Sequence, residues 1–153
     1  MMGALGTYLA SLDDKGRLRL PSALKEQLPP EVEGRFVLNR GLEKCIKLLT
    51  LAEWELESVR VGNLDEYDIE SRDFKRKFFG FANRVVLDGA DRMLLPKVLM
   101  DYAGINKEVV FFAQNGKVEI WDKNAFYGIV ETTPEDYAKL GQRVLGKNKP
   151  AAE

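Results

Sequence analysis

No histidine occurs among the 153 residues, and there is a single cysteine, Cys45. The first absence removes the side chain that most often acts as general base or metal ligand near neutral pH. The second rules out an internal disulfide. Histidine-based and metal-dependent catalysis are effectively excluded, no nucleotide-binding glycine loop is present, and the chain reads as a non-enzyme with no cofactor. No apolar run is long enough to span a bilayer, and Met1 to Ala10 has neither the basic start nor the apolar centre of a signal peptide. A soluble, intracellular protein is expected. Neither sign of charge dominates: 23 Lys and Arg against 24 Asp and Glu leave a net charge of −1. Attraction to a polyanion therefore has to come from local clustering. The 45% hydrophobic content is ordinary for a globular core, in one domain or two small ones.

What is present is a repeat. Leu12-Asp13-Asp14-Lys15-Gly16-Arg17-Leu18-Arg19-Leu20-Pro21 returns 75 residues later as Leu87-Asp88-Gly89-Ala90-Asp91-Arg92-Met93-Leu94-Leu95-Pro96. In both copies Asp and Arg stand four apart, apolar residues alternate, and Leu-Pro closes the segment. Leu18 and Leu20, like Met93 and Leu95, share one face of a strand, which turns Arg19 towards solvent. Asp14-Lys15-Gly16 is turn chemistry, since Gly takes positive φ without a Cβ clash. Asp91 replaces Gly16 in the second copy, and Asp tolerates the left-handed region better than most residues. Both copies read as hairpin corners presenting an arginine.

The order around each corner is the same. In the first half, a strand from Tyr8 to Leu12 leads in, and a short helix from Ser22 to Leu28 ends at Pro29-Pro30. Strands Phe36 to Leu38 and Ile46 to Leu48 follow, and Thr50 with Glu53 forms a capping box for a helix carrying Leu51 and Trp54. In the second half, Val85 to Leu87 leads in, and a helix from Lys97 to Tyr102 ends at Gly104. Val109 to Ala113 and Lys117 to Trp121 form a hairpin through Asn115-Gly116, and Asp122 precedes a helix from Lys123 to Val130. Phe126 stands where the first half has Trp54. The spacing there falls to 72, as the longer Pro29 to Gly34 connection requires. Between the halves, Glu66 to Ala82 reads as a helix with Phe74, Phe78 and Phe81 on one face. After them, Thr133-Pro134-Glu135-Asp136 starts a helix with Tyr137, Leu140 and Val144 as its apolar stripe. These two helices either pack together or meet a neighbouring subunit. Gly146 to Glu153 reads as a frayed tail. The segments are thus 1–62, 63–82, 83–131 and 132–153.

Gly6-Thr7-Tyr8, Leu12-Asp13, Lys15-Gly16-Arg17 with Pro21, Arg40-Gly41-Leu42 with Cys45 and Trp54, Phe74-Lys75-Arg76-Lys77-Phe78-Phe79 and Glu119-Ile120-Trp121 occur in one order along the chain. In this the chain resembles the MraZ family of bacterial transcriptional regulators. The resemblance implies an α+β, mainly β fold: two AbrB-like swapped-hairpin β-barrel halves related by internal duplication, with flanking helices. It implies a ring of identical chains and binding to short tandem DNA repeats upstream of the division and cell-wall gene cluster, hence a cytoplasmic, nucleoid-associated protein. It also implies that Lys15, Arg17 and Arg92 face double-stranded DNA; Arg19 joins them by position alone. Asp13 and Asp88 orient the arginines and Gly16 shapes the turn. Ala90 and Asp91 depart from the family pattern at the second corner. Neither a membrane nor a small-molecule substrate is implied.

Blander readings stand beside these. A lone Asp-x-x-x-Arg corner is a surface salt bridge bracing a hairpin; the second copy and the wider match favour DNA. The run Arg72 to Lys77 reads as the solvated side of an amphipathic helix, Cys45 as a small buried apolar residue, and Trp54 and Trp121 as packing. The rival function is an oligomeric protein-binding scaffold whose Arg corners are subunit salt bridges. The pI of about 5.7 supports it.

Overall fold

The computed structural model describes residues 3–147, in two compact units, one running to Lys123 and the other beginning at Asn124. In the first unit the elements follow the expected order. Strand β1 (Gly6–Ser11) leads to β2 (Arg17–Arg19), helix α1 (Ser22–Lys25), β3 (Arg35–Arg40), β4 (Ile46–Thr50) and α2 (Leu51–Gly62). After α3 (Ile69–Phe79) the pattern repeats as β5 (Asn83–Val86), β6 (Arg92–Leu94), α4 (Lys97–Ala103), β7 (Glu108–Gln114) and β8 (Lys117–Asp122). A 3-10 turn at Pro30–Val32 fills the longer connection of the first half.

The halves exchange strands. One sheet runs β1-β7-β8-β4-β3-β5 and a two-stranded ribbon pairs β2 with β6. The lead-in strand of each half therefore pairs with the hairpin of the other: β1 lies antiparallel to β7, and β5 to β3. Leu18 is paired with Met93 in the ribbon, and Lys47 with Glu119 in the large sheet. Each pair joins equivalent positions of the two halves, so a pseudo-twofold axis passes through both. The duplication reaches the interior, where Leu18 and Met93, Leu20 and Leu95, and Leu24 and Leu99 are all buried in one hydrophobic cluster. Burying an aliphatic side chain of this size contributes about 1.5–3 kcal/mol. Half of each pair comes from each repeat, so the core depends on both halves.

Local signals explain the ends of the elements. The Thr50 hydroxyl accepts from Glu53 N at 3.2 Å and the Glu53 carboxylate accepts from Thr50 N at 2.8 Å, completing the capping box of α2. Gly104 ends α4 with φ 63°, and Asn115-Gly116 turn the β7–β8 hairpin with φ 45° and 77°. Helix α1 covers only Ser22–Lys25, the chain continuing to Leu28 in further turns. Helix α3 is shorter than Glu66 to Ala82: Asp68 caps its start through Ser71 N at 3.0 Å, and Gly80 caps its end. Phe81 consequently leaves the helical stripe. Trp54 of α2 stacks on Phe78 at 5.4 Å and meets Phe79 edge-on, while Phe81 lies 4.0 Å from the Arg40 guanidinium.

Arg40 and Asn39, at the end of β3, fix the last turn of α3. Arg40 Nε donates to Lys77 O at 3.0 Å and Asn39 Nδ2 to Phe78 O at 2.9 Å, satisfying carbonyls that the helix leaves open. Gly41 follows because a Cβ added there would collide with Cys45 Sγ. Cys45 is buried, and burial followed by the Glu119 carboxylate raises its thiol to about 12.

Helix α5 (Lys123–Val130) begins on the last residue of the first unit and buries Phe126, and α6 of the second unit spans Pro134–Lys147. Asp136 N donates to the Thr133 hydroxyl at 3.1 Å, the expected cap. Gly146 is helical, not tail, whereas 148–153 lie outside the described residues. Tyr137, Leu140 and Val144 are exposed. Among the described residues, no helix is long and apolar enough to cross a membrane.

Candidate nucleic-acid interface

Each corner is a closed hydrogen-bonded unit built around its aspartate. Asp13 Oδ1 accepts from Lys15 N and Arg17 N, both at 2.9 Å, and Oδ2 accepts from Arg17 Nε at 2.7 Å. Asp88 repeats this: Oδ1 accepts from Ala90 N at 2.9 Å and Arg92 N at 3.0 Å, and Oδ2 from Arg92 Nε at 2.9 Å. Backbone bonds Asp13 N to Arg17 O and Asp88 N to Arg92 O, each 2.9 Å, close the two loops. The left-handed position falls at Gly16, φ 77°, and at Asp91, φ 60°. The corners also lock each other: Leu20 N donates to Asp91 O at 2.8 Å and Leu95 N to Gly16 O at 3.0 Å.

Both carboxyls titrate below the ordinary aspartate range. For Asp13 the main cause is the Arg17 backbone N–H, helped by the Arg17 side chain and Lys15 N–H. For Asp88 it is the Arg92 backbone N–H, then Ala90 N–H and the Arg92 side chain. The carboxylates stay ionised and braced. Each holds its arginine by Nε, so the two terminal amino groups are not spent on the brace.

Strand alternation sorts the ribbon into two faces. Leu18 and Met93 point into the core, while Arg17, Arg19, Arg92 and Leu94 occupy the outer face. Arg19 lies directly opposite Arg92, and Arg17 opposite Leu94, which is 62% exposed. Like charges directly opposed across a ribbon are unfavourable without an anion between them. Lys15 stands exposed at the tip of the first corner. All four basic residues expected to face DNA thus belong to one small ribbon and its corner. The sequence reading missed Lys25, whose Nζ lies 2.8 Å from Asp91 Oδ1. The signal was available in the halves laid over each other, where Lys25 corresponds to Met100 and Asp91 to Gly16. Among the described residues no three His, Cys, Asp or Glu side chains come together to hold a metal ion.

Strand exchange and braced corners define the class: a duplicated mainly β protein that displays arginines on a two-stranded ribbon. The family model described as "MraZ protein, putative antitoxin-like" matches residues 4–77 and again 78–147, and the chain belongs to the MraZ family. A protein from Christiangramia forsetii is 37% identical over 97% of this chain and 96% of its own length. One from Cytophaga hutchinsonii is 35% identical over 94% and 95%, and one from Shewanella oneidensis 34% over 85% and 86%. All three are named Transcriptional regulator MraZ.

Proposed function

We propose that this chain is a transcriptional regulator that binds double-stranded DNA with the outer face of the β2–β6 ribbon. The observation that carries the reading is the pair of Asp-braced arginines at equivalent positions of one exposed ribbon. A two-stranded ribbon fits the major groove, and an arginine held by Nε offers its terminal fork to guanine O6 and N7 or to a phosphate. In this reading Arg17 and Arg92 are the main contacts, and Lys15 and Arg19 supply charge to the backbone. Asp13, Asp88 and Gly16 set the corner geometry. The names of the relatives agree with the reading.

One ribbon binds weakly. Chains assembled as a ring present many ribbons, and after the first contact the rest become intramolecular, so short tandem repeats upstream of the division and cell-wall gene cluster are bound tightly. The site of action is the nucleoid in the cytoplasm. The test is a fluorescence-anisotropy titration of wild type and Arg17→Ala with duplex carrying the tandem repeats upstream of the gene and with scrambled duplex. Wild type is expected to prefer the repeats and Arg17→Ala to lose that preference with folding and assembly intact. Equal, weak binding of both duplexes by wild type overturns the reading in favour of a protein-binding scaffold.

A further inference from the structure

The two corners share a geometry but not a charge. Over five equivalent positions the first holds Asp13, Asp14, Lys15 and Arg17, and the second Asp88, Asp91 and Arg92. Formal charges cancel in the first and leave one negative charge in the second. An uncompensated carboxylate beside an arginine repels the same phosphate the arginine attracts.

Lys25 answers that charge from the adjacent helix, its ammonium 2.8 Å from Asp91 Oδ1. The two residues also come and go together. The pair joins the two repeats, and at the contact that the pseudo-twofold relates to it Met100 stands for Lys25 and Gly16 for Asp91, so the contact without the acid also lacks the base. Stability does not account for the pair, since its side chains are 50% and 39% exposed and such pairs add little to a fold. With Lys25 counted, the second corner reaches the neutrality of the first.

We propose that Lys25 is a positioning residue for DNA binding: it holds and cancels the Asp91 carboxylate so that Arg92 meets a phosphate. The inference rests on the DNA-binding reading above. Lys25→Gln, Asp91→Asn and the double variant are titrated by fluorescence anisotropy with repeat and scrambled duplexes, and each is melted thermally. Lys25→Gln is expected to weaken binding to the repeats about three- to tenfold, the effect of one uncompensated charge within a Debye length. Asp91→Asn alone binds at least as tightly as wild type, and in its background Lys25→Gln changes affinity by less than about twofold. Melting of Lys25→Gln falls by no more than about 4 °C.

Weakening that persists in the Asp91→Asn background overturns the proposal, because Lys25 then acts on DNA or on the fold directly. So does Lys25→Gln binding as wild type, or a larger loss of melting temperature. Failure of the underlying reading is a separate result, read from wild type alone: no preference for repeat over scrambled duplex.

Discussion

Arg17→Lys separates reading from attraction at the first corner. The arginine spends Nε on Asp13 at 2.7 Å and its backbone N–H on the same carboxylate at 2.9 Å, which leaves a planar pair of amino groups for a base edge. A lysine keeps the charge and still reaches Asp13, but it has no fork. A good bidentate contact is worth about 1–3 kcal/mol of discrimination, so preference for the repeats over scrambled duplex is expected to fall about 5- to 150-fold. Each phosphate contact contributes about −0.9 to the slope of log affinity against log salt. That slope is expected to stay at the wild-type value in Arg17→Lys, because no cation has been removed. The assay is anisotropy at several salt concentrations with both duplexes. Preference retained within about twofold, or lost together with a shallower slope, refutes the idea that the aspartate brace serves to present a fork.

Thr50→Ala removes the hydroxyl that accepts from Glu53 N and is expected to cost about 0.5–2 kcal/mol, seen as a lower melting temperature with DNA affinity unchanged. For Asp13 and Asp88, whose carboxyl groups titrate below the ordinary range in the folded chain, the sign of the pH dependence follows directly. Their contribution is complete above the unfolded-state value, roughly 4, and is lost as pH falls through the lower folded values. The Arg17 and Arg92 Nε–H resonances are therefore expected to hold their positions from pH 7 to 5 and to shift only below about 4, a step that Asp13→Asn abolishes for Arg17.

Much of this architecture was legible because its signals are local. Asp13 and Arg17 are four residues apart, Asn115-Gly116 is a two-residue turn, and Thr50 with Glu53 closes a box within one turn of helix. Strand exchange was not readable from periodicity, which says which side of β1 faces inward but not that β7 lies beside it; the resemblance supplied it. Phe81 was misplaced because a spacing of three from Phe78 looks helical, although Gly80 intervenes and ends α3. Arg40 and Gly41 form a sequence motif whose mechanism is not local. Their roles, bonding Lys77 O and making room for Cys45 Sγ, depend on residues brought close only by the fold. The Lys25 and Asp91 contact spans 66 residues and shows only when the repeats are compared position by position.

The two halves share one chain, and this frees them from the constraint that an exact dimer imposes. In a dimer of identical halves every change at one corner appears at the other, and the paired surface reads inverted half-sites. Here the axis through Leu18 and Met93 is only approximate on the outer face. Lys15 has Ala90 as its counterpart in the other repeat, Gly16 has Asp91, and Arg19 has Leu94. The interior keeps the symmetry, because Leu20 with Leu95 and Leu24 with Leu99 still pack as equivalents in the shared core. A symmetric interior carrying an asymmetric ribbon gives that ribbon two distinguishable ends. If the ribbon is the reading element, direct tandem repeats bound by successive copies suit it better than a palindrome, since each copy then meets its repeat in the same orientation.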